Sequence, residues 1–319
     1  MKFVKRIVGI ILAVAVIASI FLVWFQRQEI MDWLALRDYK PPTAVVVLAD
    51  KTSMTTKGRK IFYVNHPEVA PAKTFNSECS QETSIVLGCY IPGRGIYIFD
   101  VTEERLQGVK EVTSAHEMLH AAYDRLSNTQ RNKVDKLTQD AYIAVTNQRV
   151  RGNVENYRKQ DPNVVPNELH SILATEVTDL PADLEAYYKQ YFINRKIVVA
   201  FSDHYEAEFT ARKQRVDELD KKLETMKQEI DESKAQLDIS YNNLKTEKNN
   251  LNILLNSGQV NEYNLGVPSY NNQVNDYNNL VKQADVKITD YNNLVAERNS
   301  IAGEVQDLAQ AIDSRPQRL

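Results

Sequence analysis

The chain has 319 residues, enough for two domains, and 43% of them are apolar, which excludes wholesale disorder. Its formal net charge is −3, from 39 basic and 42 acidic residues, and this balance weighs against a nucleic-acid binder. Two cysteines are too few for a disulfide scaffold or a four-cysteine zinc site. The mean hydropathy of −0.43 excludes a membrane protein with many spans but leaves room for one.

The N-terminus has the composition of a membrane anchor. Three basic residues lie in the cytoplasmic tip predicted at residues 1–6, and Ile7–Phe25 follows as 19 residues without a charge. A helix of that length spans about 28 Å, close to the thickness of a bilayer core. A cleaved signal peptide is the alternative, but its apolar region is normally shorter. The charge bias predicts a single-pass protein of the cell membrane, with a cytoplasmic N-terminus and residues 26–319 extracytoplasmic.

A stalk predicted over residues 26–43 leads into a region of β-branched runs, which predict strands. These runs are Ala44–Asp50, Lys60–Val64, Ser84–Leu87, Cys89–Ile91 and Ile96–Phe99. The two cysteines, Cys79 and Cys89, belong to the same region. An extracytoplasmic location would permit a disulfide between them, and two buried thiols are the alternative.

Helices are predicted after Glu103, where apolar residues begin to recur at helical spacing. The segment Ser127–Gln130 has the S-x-x-Q form of a capping box and predicts the start of a second helix. Prolines then separate two shorter helices, near Asn167–Thr178 and Ala182–Phe192. The sequence therefore predicts an α+β domain over residues 44–200, large enough for its own core.

Residues 201–313 have the heptad pattern of a long coiled coil. Apolar residues follow 3-4 spacing from Val216 to Leu254, and a second register runs from Tyr270 to Ile312. Because the two arms are similar in length and the connection is short and polar, we expect an antiparallel helical hairpin, followed by a tail at 314–319. Such a hairpin offers a surface for a partner protein.

The most informative stretch is His-Glu-Met-Leu-His at residues 116–120, within the first helix predicted after Glu103. His116 and His120 are one turn apart on one helical face, so both imidazoles can bind the same metal ion. Glu117 lies on the adjacent flank, where its carboxylate can take a proton from an attacking water molecule. With 5 histidines in the chain, this pattern is rare by chance.

This motif resembles that of the HExxH zinc metallopeptidases. The form of that class with a third histidine is excluded, because Tyr123 and Leu126 occupy the positions of its glycine and histidine. The resemblance is therefore to the glutamate-zincins, the thermolysin-like type, and it implies a small zincin-like domain with Zn²⁺ as cofactor. In that class a strand before the motif helix often pairs with the extended substrate, and Ile96–Phe99 is the candidate.

The same resemblance implies a third zinc ligand on a later helix. Asn167-Glu168 is similar to the Asn-Glu helix of thermolysin-like enzymes, so Glu168 is the implied ligand. Glu176 is an alternative, since it lies only about 80° further round the helix. His170 is another alternative; otherwise it has a catalytic role, donating a hydrogen bond to the developing oxyanion.

Together these features predict a membrane-anchored peptidase that hydrolyses peptide bonds of a protein or peptide substrate outside the cytoplasmic membrane. A different class of protein remains as the alternative. The long coiled coil also suits a non-catalytic adaptor or scaffold of the cell envelope, in which the zinc site is inert or structural.

Overall fold

The computed structural model describes residues 26–79 and 85–315, and most of these residues are helical. The helices are α1 (Arg27–Leu36), α2 (Thr43–Lys51), α3 (Thr56–Val64), α4 (Ala72–Glu78), α5 (Val109–Asp124), α6 (Asn128–Ile143), α7 (Gln148–Gln160), α8 (Val165–Glu176), α9 (Ala182–Tyr188), α10 (Lys196–Asn256) and α11 (Val260–Ile312). The strands are β1 (Glu68–Ala70), β2 (Gly88–Ile91) and β3 (Gly95–Phe99), and a 3₁₀ turn covers Glu104–Leu106.

The prediction of an α+β domain is wrong, because most of the described residues are helical and their strands form a single three-stranded sheet. The predicted strand Ala44–Asp50 lies within helix α2, and Lys60–Val64 lies within helix α3. In α2 the buried residues Val45, Leu48 and Ala49 are spaced i, i+3 and i+4. This helical period lets one face of α2 pack into the core, and it outweighs the β preference of the valines.

The sheet has the strand order β1-β3-β2, with β1 parallel and β2 antiparallel to β3. The strands predicted at Cys89–Ile91 and Ile96–Phe99 are therefore confirmed, whereas Ile85–Leu87 forms no strand. A disulfide joins Cys79, just after α4, to Cys89 in β2, which confirms the predicted pairing.

Helix α5 lies at the centre of the globular part. It contacts β2 and β3, the helices α2 and α3, and, most extensively, α8. Met118 and Leu119 on α5 and Leu173 on α8 are fully buried. The next helix, α6, begins with the predicted capping box, in which Ser127 and Gln130 satisfy each other's backbone N–H groups. Helix α8 also packs against α6 and α7, so it is held from three sides.

The chain divides into two compact units, one made of residues up to Glu208 together with Gln310 onward, the other of Phe209–Ala309. In the second unit α10 and α11 run antiparallel, as the contacts Arg215–Glu297 and Ser233–Lys287 show. The expected seam is present, and its residues Leu219, Leu251 and Ala284 are buried. The predicted helical hairpin is thus observed.

The connection of the hairpin differs in detail from the prediction. The chain turns at Gly258, whose φ of 77° favours glycine. The stretch Gly266-Val-Pro268 also has the composition of a helix break, but it does not end the helix, because Pro268 lies inside α11. A proline within a helix removes one backbone hydrogen bond without necessarily stopping the helix.

The predicted membrane segment, Ile7–Phe25, lies outside the described residues. Within the part of the chain that the structure describes, no helix combines the length and apolar character needed to cross a bilayer. The structure therefore does not support the predicted single-pass, extracytoplasmic localisation, and this prediction is withdrawn. Residues 26–43, predicted as a stalk, contain helix α1, which packs against α3.

Candidate metal centre

Helix α5 presents the two motif histidines side by side. The ring centroids of His116 and His120 are 4.7 Å apart, and their side chains are only 16% and 12% exposed.

The start of helix α5 depends on Gly108, which has a φ of 104°. A Cβ atom at Gly108 would lie 2.8 Å from the backbone oxygen of Phe201, so the close approach of α10 also requires glycine.

Helix α8 brings Glu168 to the two histidines. Oε2 of Glu168 lies 3.6 Å from Nε2 of His116, and Oε1 lies 3.6 Å from Nε2 of His120. The ligand atoms of these three residues lie within 4.8 Å of one another. Pro166 lies in the first turn of α8, where its missing N–H costs no helical hydrogen bond. The three residues predicted as ligands are therefore gathered at one point.

The chemistry of this group fits a metal ion. Oε2 of Glu168 is buried and has no hydrogen-bond partner among the described residues. Leaving such an oxygen unsatisfied is costly, and 3.6 Å is too long for a hydrogen bond from either histidine. A cation between the three side chains would satisfy this oxygen and both imidazoles at once. The His116/His120/Glu168 group, hereafter the ligand group, can thus hold a metal ion.

The electrostatics of Glu168 favour the anionic form that binds a metal. Burial raises the pKa of its carboxyl group, but interactions with His116, His120 and the Tyr157 hydroxyl together lower it, and the pKa lies below its usual value. Tyr157 belongs to α7, a helix that the sequence did not predict. Its position beside Glu168 is therefore a feature that sequence reasoning missed.

The candidate general base, Glu117, lies on α5 beneath strand β2. Its side chain is buried, and a Cβ atom at Gly88 would lie only 2.9 Å from Oε1 of Glu117. Strand β2 can therefore approach this carboxylate closely because residue 88 has no side chain. No pattern in the sequence marked Gly88, since the contact joins residues far apart along the chain.

Glu176, the alternative third ligand, lies apart from the ligand group. Its Oε2 accepts a hydrogen bond of 2.6 Å from Arg149, which also pairs with Glu206. Although Glu176 follows Glu168 by two turns of α8, its carboxylate is already neutralised by this arginine. The structure therefore favours Glu168 over Glu176 as the metal ligand.

His170 is likewise absent from the ligand group. Its ring is fully buried among tyrosines, with Nε2 hydrogen-bonded to the Tyr187 hydroxyl at 3.0 Å. Burial, together with the charges of His120 and His116, lowers the pKa of His170 to about 3, so the imidazole is neutral. A side chain with no exposed surface cannot reach a substrate in this conformation, and we assign His170 no catalytic step.

The strand expected to pair with substrate is not available for that contact. Ile96–Phe99 belongs to β3, the central strand, and both of its edges are occupied by β1 and β2. The prediction for this strand is therefore corrected. Strand β2 lies at an edge of the described sheet and contacts α5, so it is the strand placed beside the motif helix.

Comparison of the chain with known protein families, curated proteins and solved structures gives no significant match in any of the three. The similarity to glutamate-zincins thus extends to the motif on α5 and the Asn-Glu sequence on α8, and it stays a prediction. The functional argument depends on the residues of the ligand group and their neighbours.

Proposed function

We propose that the protein is a zinc-dependent peptidase centred on the ligand group. The observation that carries this proposal is the meeting of His116 and His120 from α5 with Glu168 from α8. Two imidazoles and one carboxylate form the donor set of several catalytic zinc sites. Three protein ligands would leave a coordination position for water or substrate, whereas a structural site normally has four.

In the proposed reaction Glu117 is the general base. When bound, Zn²⁺ supplies Lewis-acid polarisation of the scissile carbonyl and of the attacking water. Glu117 takes a proton from that water and passes it to the nitrogen of the leaving amine. It is suited to this role because it follows His116 directly on α5 but does not belong to the ligand group.

The proposed substrate is an extended peptide. Strand β2 lies at the edge of the described sheet, and its Gly88 lies against Glu117. Backbone hydrogen bonds to an edge strand align a peptide without selecting its sequence. Pairing with β2 would therefore bring a peptide bond close to the general base.

The proposal is tested by peptide hydrolysis with the full chain. The protein is loaded with Zn²⁺ or treated with chelator, and a mixed peptide library is analysed for cleavage by mass spectrometry. Glu117→Gln should retain zinc but lose about 10²–10⁴-fold in rate, because an amide cannot accept the proton. The matched control is Glu111→Gln, which removes another buried carboxylate from α5, one that pairs with Lys51 at 2.7 Å.

The peptidase proposal would be contradicted if every peptide cleaved by the zinc-loaded wild type were also cleaved by Glu117→Gln, or if the wild type cleaved none. The second candidate function, a non-catalytic adaptor, would then be preferred. It is favoured by apolar side chains near the turn of the hairpin, where Leu265 is 81% and Ile253 is 64% exposed. Exposed apolar residues of this kind are common at protein-binding surfaces.

A further inference from the structure

Ser171 contacts the ligand group from the side opposite the metal position. It lies on α8, three residues after Glu168, and it is fully buried. Its Oγ is 3.4 Å from Nδ1 of His120, while Nε2 of the same ring is 3.6 Å from Oε1 of Glu168. The His120 imidazole is therefore placed between two side chains of one helix, each facing a different ring nitrogen.

The two ring nitrogens must have different protonation states for metal binding. A neutral imidazole has one N–H group and one lone pair. Nε2 of His120 can offer its lone pair to a metal ion only when the proton is on Nδ1. That N–H group then needs an acceptor, and the hydroxyl oxygen of Ser171 is within reach of it.

We propose that Ser171 is a positioning residue of the metal centre. It accepts a hydrogen bond from Nδ1 of His120, keeps the proton on that nitrogen, and directs Nε2 towards the ion. Such partners of metal-binding histidines raise the basicity of the ligand and fix the ring orientation. This inference rests on the metal centre of the proposed function but not on its peptidase activity.

Helix α8 has two roles in the proposed metal centre: it supplies the ligand Glu168, and through Ser171 it orients the ligand His120. Glu168 and Ser171 are separated by three residues, so they lie on the same face of α8, towards α5. Any shift of α8 along α5 would change both contacts to His120 together. The helix that supplies one ligand thus orients another.

The test is the zinc affinity of Ser171→Ala in the full chain, measured by competition with a chromogenic chelator. We expect affinity to fall about 10–100-fold, as for loss of other hydrogen-bond partners of metal ligands. The matched control is Ser114→Ala, which removes a second fully buried serine hydroxyl, one that donates to the Glu111 carbonyl at 2.8 Å. The control should retain wild-type zinc affinity.

Two further measurements separate positioning from a general loss of stability. The melting temperature of the metal-free protein should change similarly in Ser171→Ala and Ser114→Ala. The visible absorption spectrum of the Co²⁺-loaded protein should change only in Ser171→Ala, because only that variant alters a ligand's orientation. Should Ser171→Ala fold poorly, Ser171→Cys fills the same space with a weaker acceptor and should give an intermediate loss of affinity.

The outcomes distinguish this inference from the proposed function. A folded Ser171→Ala protein with wild-type zinc affinity and an unchanged Co²⁺ spectrum would overturn the role of Ser171 and leave the metal centre intact. A wild-type protein that binds neither metal would overturn the metal centre, and the role of Ser171 with it. Loss of peptidase activity alone would bear on Glu117 and not on Ser171.

Discussion

The globular unit and the hairpin are both helical, but their helices are specified in different ways. In the hairpin, burial follows a heptad pattern that is visible in the sequence, and Leu219 and Ala284 are buried where the pattern places them. In the globular unit, α5 contacts elements that range from α2 to α8 along the chain. A local repeat therefore describes the hairpin, whereas the metal centre depends on contacts between distant segments.

The largest effect is expected where α8 supplies Glu168 to the histidines of α5, because the metal centre depends on this contact between distant segments. Replacing Glu168 with Gln should weaken zinc binding by more than the roughly 10–100-fold typical of a lost supporting hydrogen bond, because it removes a ligand's charge. Glu176→Gln is the control on the same helix, and it should leave zinc affinity unchanged because Glu176 pairs with Arg149. Chelator competition measures both variants, and the reverse ranking would assign the ligand role to Glu176.

A second test compares the two hydrophobic interiors. Leu173 on α8 is fully buried, and Leu173→Ala should cost about 2–5 kcal/mol of the free energy of unfolding. Leu237 lies in the half-buried seam of the hairpin, and Leu237→Ala should cost only about 1 kcal/mol, since less apolar surface is removed from contact. Urea unfolding followed by circular dichroism measures both values. Equal costs would show that the hairpin seam is packed like the globular core.

The sequence could predict those elements of the fold that depend on local signals. The sequence predicts the capping box at Ser127 correctly because its two hydrogen bonds join residues three apart. The strand prediction for Ala44–Asp50 is wrong because three successive valines favour a strand, although the buried positions follow a helical period. The sequence does not predict helix α7 because its buried apolar positions are only Val150 and Val154, too few to reveal a period.

The same division applies to the metal centre. The pairing of His116 with His120 follows from i, i+4 spacing on a helix, and Glu168 was inferred from resemblance rather than from any local period. Ser171 and Gly88 reach the site only through packing between elements distant along the chain. No spacing rule within one helix or strand could have identified those two.

A third prediction concerns a buried ion pair in the globular unit. Asp32, on α1, is 3% exposed and accepts two hydrogen bonds of 3.0 Å from Arg125. Asp32→Asn should lower the free energy of unfolding by about 1.5–3 kcal/mol at neutral pH, because a charge-assisted interaction is lost. Thermal unfolding of the wild type and the variant measures this difference.

The pH dependence of that difference has a definite sign. Burial raises the pKa of the Asp32 carboxyl, but hydrogen bonds from Arg125, Gln28 and Lys60 outweigh this effect, and the pKa lies below its usual value. The stabilisation is therefore fully present above the pKa of the unfolded state, about 3.9, and is lost as the pH falls through the lower folded-state value. The wild type and Asp32→Asn should converge in stability at acidic pH, and a difference that persisted there would contradict this account.

The smallest expected effect is at an ion pair of the hairpin with similar geometry. Arg215 donates to Oε1 of Glu297 at 2.6 Å, yet the two side chains are 48% and 42% exposed. Water and salt screen such a pair, and ordering two long side chains opposes its formation. Glu297→Gln should therefore leave the melting temperature unchanged at physiological salt, in contrast to Asp32→Asn. Asp32 is more buried than Glu297 and also interacts with Gln28 and Lys60, so the larger loss expected for Asp32→Asn reflects both burial and the additional partners. A marked loss of stability in Glu297→Gln would mean that cross-helix charge, and not the apolar seam alone, holds the hairpin together.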